Sequence, residues 1–148
     1  VIDLDPGLTN VVTRRARMTV DLRNTDEALL QEAEHRLADL VTEVAEAEGV
    51  TVDSVSLARF EPVTFDPRVV DLVEATAERL GHSVLRLPAG AGHDAGLLAG
   101  VCPAGMVFTP SRDGISHNPA EHTDPEDLDA GADVLLQVVL ALTEGEIG

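Results

Sequence analysis

The sequence predicts an α/β fold, and three observations carry that expectation. Residues 17–23 alternate apolar and polar side chains with the period of a half-buried strand. Three longer stretches place apolar residues at helical spacing behind recognisable start signals. In the second half of the chain such helices alternate with short apolar runs, as in a sheet covered by helices.

The elements follow in order. The chain opens on an apolar-alternating fragment that reads as part of a strand. In the next strand, 17–23, Met18, Val20 and Leu22 face one way and Thr19, Asp21 and Arg23 the other. Asn24, with Glu27 three residues later, reads as an N-cap and capping box. A helix then runs to about Glu48, with Leu30, Ala33, Leu37, Leu40, Val41 and Val44 as its stripe and Gly49 as its stop. Val50, Val52, Val55 and Leu57 read as a strand whose parity slips near Asp53 and Ser54. Phe60 to Phe65, with Pro62, reads as a boundary. Asp66-Pro67 opens a helix in the cap-then-proline manner; its buried face is Val69, Val70, Val73, Ala77 and Leu80, and Gly81 ends it. Residues 83–87 read as a short strand, 88–94 as a glycine-rich turn into a short helix ending by Gly100, and 105–109 as a buried strand. A polar loop over 110–123 precedes a last helix opened by Asp124-Pro125, with Leu128, Ala132, Leu135, Val139 and Leu142 on one face.

Composition narrows the function classes. The 148 residues carry ten basic groups, all arginine, against 27 acidic ones, a net charge of −17. Such a chain is repelled by phosphate backbones and anionic membranes, so neither is an expected partner. Hydrophobic residues make up 44% of the sequence, enough for a core and too many for a disordered chain. One cysteine excludes an internal disulfide and a multi-cysteine zinc site. No apolar run nears the ~20 residues of a membrane span. The opening Val-Ile-Asp-Leu-Asp-Pro does not read as a signal peptide. The missing initiator Met and the start inside a strand lead us to expect an incomplete chain.

Two loops concentrate the chemistry. Gly90-Ala91-Gly92-His93-Asp94-Ala95 reads either as a plain strand-to-helix turn or as a pocket edge. It is neither a dinucleotide fingerprint, since Ala95 takes the third glycine position, nor a P-loop. The second loop, 110–123, follows an expected strand end, where open α/β sheets carry their sites. There His117 and Glu121 are candidates for a metal ligand and its hydrogen-bonded support, against the alternative of a solvated loop. His35, His82 and His122 read as surface residues, and Cys102 as a small buried hydrophobe.

At these residues a resemblance becomes specific. Gly-Ala-Gly-His-Asp-Ala at 90–95, Phe108-x-Pro-Ser at 108–111 and Gly-Ile-Ser-His-Asn-Pro-Ala-Glu at 114–121 together resemble the C-terminal half of the dinuclear-metal amidohydrolases related to the M20 peptidases. The nearest branch is that of N-carbamoyl-L-amino-acid hydrolases, allantoate amidohydrolases and β-ureidopropionases. Upstream, Asn10-Val11-Val12 and Val20-Asp21-Leu22-Arg23 resemble the family's patterns at the right separation, so nearly the whole chain is covered. Departures are Thr13 for a usual proline, Pro88-Ala89 for a serine, and Gly96 for a bulkier residue.

The resemblance implies a fold and roles. Residues 1–64 would be the second half of a βαβ-containing lid, or dimerisation, domain. Residues 65–148 would be the C-terminal portion of an α/β zinc-hydrolase catalytic domain. His117 matches a metal ligand, with Glu121 and Asp94 supporting it. Asn10 and Arg23 match residues that bind the substrate's α-carboxylate, a task suited to a guanidinium fork. Gly90, Ala91, Gly92 and His93 would line the pocket edge. The implied enzyme is a cytoplasmic homodimer with two divalent ions, zinc or manganese. These ions polarise a water and a carbamoyl carbonyl while a glutamate moves the proton, giving amino acid, ammonia and carbon dioxide. That glutamate and the other ligands are not matched by any residue here, so the isolated chain is expected to be inactive. An M20 aminoacylase or dipeptidase, or a non-catalytic dimerisation or binding remnant, are the alternatives.

Overall fold

A computed structural model describes residues 1–145. They comprise β1 (Ile2–Asp5), β2 (Arg15–Met18), α1 (Glu27–Glu48), α2 (Pro67–Arg79), α3 (Asp94–Leu98), a 3-10 turn at Arg112–Gly114 and α4 (Pro125–Glu144). The chain divides into two compact units, Val1–Pro62 and the residues from Val63 onward.

In the first unit β1 and β2 form an antiparallel hairpin, with Ile2 opposite Met18 and Asp5 opposite Arg15. The expected strand at 17–23 is thereby corrected. Pairing covers Arg15–Met18 and continues to the Thr19 N–H on the Val1 carbonyl. Helix α1 is capped by Asp26, whose carboxylate accepts from the Leu29 N–H, and not by Asn24. Asn24 instead accepts from the Asp26 N–H at 2.9 Å, an Asx turn that delivers the chain to its cap. At the other end Gly49 takes a left-handed φ of 64°, and the Gly49 and Val50 N–H groups close on Glu46 and Ala45. Leu30 is buried and Ala33, Leu37 and Val41 are half-buried, whereas Leu40 and Val44 of the expected stripe are exposed. The expected strand at 50–57 is not formed. Its valines and Leu57 are exposed, and the segment is tied back to α1 by Arg59, which binds Glu27 at 2.7 Å and Glu34 at 3.0 Å.

In the second unit α2 starts as expected: Asp66 caps it by accepting from the Arg68 N–H, and Pro67 takes the first turn. Helix α2 packs on α4, and the core forms between them from Ala77, Val134 and Val138, lined by Leu72, Val73, Val107 and Leu142. The buried face of α2 is Val69, Thr76 and Ala77; Val70 and Val73 are half-buried and Leu80 is exposed. In α4 the stripe expected from Leu128 to Leu142 reaches the core only at Leu142. Val134, Val138 and Ala141 face the core, while Leu128, Leu135 and Val139 are about half exposed. Both faces of α4 are apolar, so periodicity alone selects neither.

Residues 83–87 and 105–109 do not form strands either, because no second backbone edge lies alongside them among the described residues. Arg86 pins the former segment to Asp71 and Glu74 of α2. The latter is half-buried and is held by the Asp66 N–H on the Ala104 carbonyl. Gly105 lies so close to α2 that an added Cβ would meet Val69 Cγ1 at 2.8 Å. Cys102 is exposed, correcting its reading as a buried hydrophobe; its thiol lies on the Leu98 carbonyl at 3.5 Å.

Candidate functional site

The loop from Pro110 to Thr123 is built as a closed structure. At its neck the Arg112 N–H donates to the His122 carbonyl at 2.8 Å. The Arg112 guanidinium reaches the Asp124 carboxylate at 2.6 Å, and the His122 ring lies on the same oxygen at 3.1 Å. Both contacts hold the Asp124 carboxyl below the usual carboxylate range, Arg112 contributing most. Asp124 stands at the N-cap of α4 yet makes no side-chain cap bond, because its carboxylate is engaged by the loop. Inside the loop Ser111 Oγ donates to the Ile115 carbonyl, and Asp113 takes a left-handed φ of 57°.

At the far end of the loop sits His117, also left-handed at φ 55°. Outside glycine this conformation costs ~1–2 kcal/mol and persists where neighbours enforce it. The enforcing neighbour is Glu121, whose carboxylate accepts from the His117 N–H at 2.7 Å. Asn118 supplies the intervening turn, accepting from the Ala120 N–H through its side chain and from the Glu121 N–H through its carbonyl, each at 2.9 Å. His117 and Glu121 are therefore brought together. The contact runs to the backbone of His117, which leaves the imidazole exposed.

The glycine-rich turn enters the same unit through His93, which is the N-cap of α3 and packs edge-on against Phe108 with ring centroids 5.5 Å apart. Asp94 is the first residue of that five-residue helix. Gly90 and Gly92 have no positive φ, and a Cβ added to either would meet nothing within 4 Å. Neither backbone freedom nor packing within this unit requires glycine there. Ala91 is half-buried beside them.

Asn10 and Arg23 belong to the first unit. Asn10 is exposed on the β1–β2 connection, a loop closed at its neck by Arg14 on Asp5 at 2.8 Å. Arg23 follows β2 and binds the Asp21 carboxylate through Nε at 3.1 Å and Nη2 at 2.7 Å. That pairing lowers the Asp21 pKa and raises that of Arg23. Sequence reasoning missed Arg112, Asp124 and the backbone role of Glu121. The signal was present in part, since an Asp-Pro helix start announces a carboxylate whose partner is open.

Among the described residues no three His, Cys, Asp or Glu side chains converge as a set able to hold a metal ion. His117 taken with its neighbours does not make a metal centre. No helix among the described residues is long and apolar enough to cross a membrane.

Comparison with known proteins agrees with this architecture. Residues 4–141 match the profile of Peptidase family M20/M25/M40, and the chain belongs to that family. It is 40% identical over 139 residues to an N-carbamoyl-L-amino-acid amidohydrolase of Rhizobium meliloti, covering 94% of this chain and 33% of that protein. It is 30% identical over 141 residues to an allantoate amidohydrolase of Bacillus subtilis, covering 95% of this chain and 34% of the relative. A crystal structure of an amidase of the hydantoinase/carbamoylase family from Burkholderia multivorans superposes with a TM-score of 0.89 at 40% identity, over 95% of this chain and 34% of the other. The chain thus spans about a third of the length of the relatives it matches.

Proposed function

We propose that the chain contributes to a metal-dependent amidohydrolase that cleaves the linear amide or ureido bond of an N-carbamoyl-L-amino acid or an allantoate-like acid. The observation that carries this reading is the closed loop with His117 at its apex, in a chain 40% identical to an N-carbamoyl-L-amino-acid amidohydrolase. Enzymes of the M20 family generally use divalent metal ions. In this reading His117 supplies one ligand, and the other donors come from outside residues 1–145. Glu121 fixes the backbone that presents the imidazole. Asn10 and Arg23 take the substrate carboxylate, Arg23 being already oriented by Asp21. Residues 1–64 serve as part of a lid through which two copies pair, and 65–148 as part of the catalytic domain. His93 and the 90–92 backbone line the pocket edge, where the glycines leave room that this unit does not fill.

The reading makes a requirement of this chain. A dinuclear hydrolytic site needs several ligands and a proton-transfer group, and one imidazole supplies neither set. The chain by itself, loaded with zinc, manganese or cobalt, is expected to release no ammonia from N-carbamoyl amino acids. Metal-dependent turnover by the 148 residues alone would show that the active site lies elsewhere.

A further inference from the structure

We infer that Asp124 is a positioning residue for His117, acting through Arg112 and His122; the inference rests on the proposed role of His117. Arg112 and His122 flank His117 on either side in sequence, and both close on one carboxylate oxygen. Asp124 is a fixed post because it stands at the head of α4, whose Val134, Val138 and Ala141 are buried. The backbone bond from Arg112 to the His122 carbonyl draws the two arms together at the same level. The loop is thereby tied to the core-bearing helix at its base and to Glu121 at its tip, with His117 between the two ties. Without the lower tie the two arms are joined by one backbone hydrogen bond, and the left-handed backbone at His117 loses its outer support.

The Asp124 carboxylate is given to the loop and not to the α4 N-terminus, where its side chain makes no cap bond. Asparagine caps helices as well as aspartate does, so Asp124→Asn removes the charge that binds Arg112 without harming the helix start. The pair is solvent-exposed, and exposed pairs have small effects, so the loss is expected to be up to about fivefold in the opening equilibrium of the loop.

The test is amide hydrogen exchange on the 148-residue chain, read at His117 and, as a control, at Val134 and Val138 of α4. Asp124→Asn and Arg112→Gln should each speed exchange at His117 while leaving the α4 amides unchanged. Asp124→Glu, which keeps a carboxylate for Arg112 and His122, should hold exchange at His117 closer to that of the parent chain than Asp124→Asn does. Unchanged exchange at His117 in Asp124→Asn and Arg112→Gln, or no difference between Asp124→Glu and Asp124→Asn, would overturn the inference. Failure of the metal reading is seen separately. In a full-length family enzyme carrying this segment, His117→Ala with full metal content and normal kcat would refute the ligand role, whatever the exchange data show.

Discussion

His117 and Glu121 show what a single residue's surroundings add to its identity. The imidazole is exposed, and the structural effort around it goes into the backbone: a left-handed φ, a carboxylate on the N–H and a turn made by Asn118. In a full-length family enzyme, His117→Ala should strip at least one metal and abolish turnover, checked by metal analysis and ammonia release. Arg23→Lys should lower kcat/KM for carboxylate-bearing substrates by about tenfold or more, because a bidentate fork becomes a point charge and a charged hydrogen bond is lost. Unchanged kcat/KM in Arg23→Ala would remove Arg23 from the site. At this scale the pairing of His117 with Glu121 was legible, because the two lie four residues apart in one motif, although the contact runs to the His117 backbone and not to its imidazole. The sequence was opaque where the partner is distant: nothing in the string announces that Arg112, rather than the α4 backbone, takes the carboxylate of Asp124.

Helices were read well because their information is local. Asp66-Pro67, Gly49 and Gly81 lie within a turn of the boundary they set, and φ values of 64° and 85° at the two glycines explain why no side-chain-bearing residue serves as easily there. The Asn24 cap was displaced by two residues because two acceptors, Asn24 and Asp26, compete within one turn. Strands failed because an apolar or alternating side-chain pattern does not by itself make a strand, which also needs a neighbouring backbone; 50–57, 83–87 and 105–109 lack that neighbour among the described residues. The face of α4 was misassigned for a related reason, since its outer leucines suit burial as well as its inner valines do. One packing detail is testable at this scale. A Cβ on Gly131 of α4 would run into the Cγ2 methyl of Thr109. Helix propensity favours alanine over glycine by ~1 kcal/mol, while overpacking costs ~1–3 kcal/mol, and the β-branched threonine has little rotamer freedom to yield. Gly131→Ala should therefore be net destabilising by up to about 2 kcal/mol. Adding Thr109→Ser, which deletes the methyl, should reverse the loss in chemical denaturation; a stabilised single variant would show that Thr109 does not lie against Gly131 as described.

For the whole chain, surface area and charge pull in opposite directions. Within each unit much of the exposed surface is apolar: Leu128, Leu135, Leu136, Val139 and Leu140 of α4 are each roughly half exposed, as are Leu29, Leu40 and Val44 of α1. Patches of this kind drive association. The charge of −17 opposes it, but only over a Debye length of ~8 Å at physiological salt and ~3 Å at 1 M. Association should therefore increase with ionic strength at pH 7, read as a rising weight-average mass in sedimentation equilibrium with a parallel fall in dye binding to apolar surface. Acid should act in the same direction for a second reason. Arginine partners hold Asp21, Glu27, Asp66 and Asp124 below the ordinary carboxylate range. Depressed carboxyls contribute stability that is present above their unfolded values near pH 4 and lost as pH falls through the folded ones. Near the sequence pI of about 4.3 the net repulsion also vanishes. The chain should then associate at pH 4.3 even in low salt, while protonation of the exposed Arg59–Glu27 and Arg112–Asp124 pairs at lower pH should cost it only a little stability. A monomer of constant mass from 0.05 to 1 M salt, with no dye binding, would show that the exposed faces of α1 and α4 do not drive association.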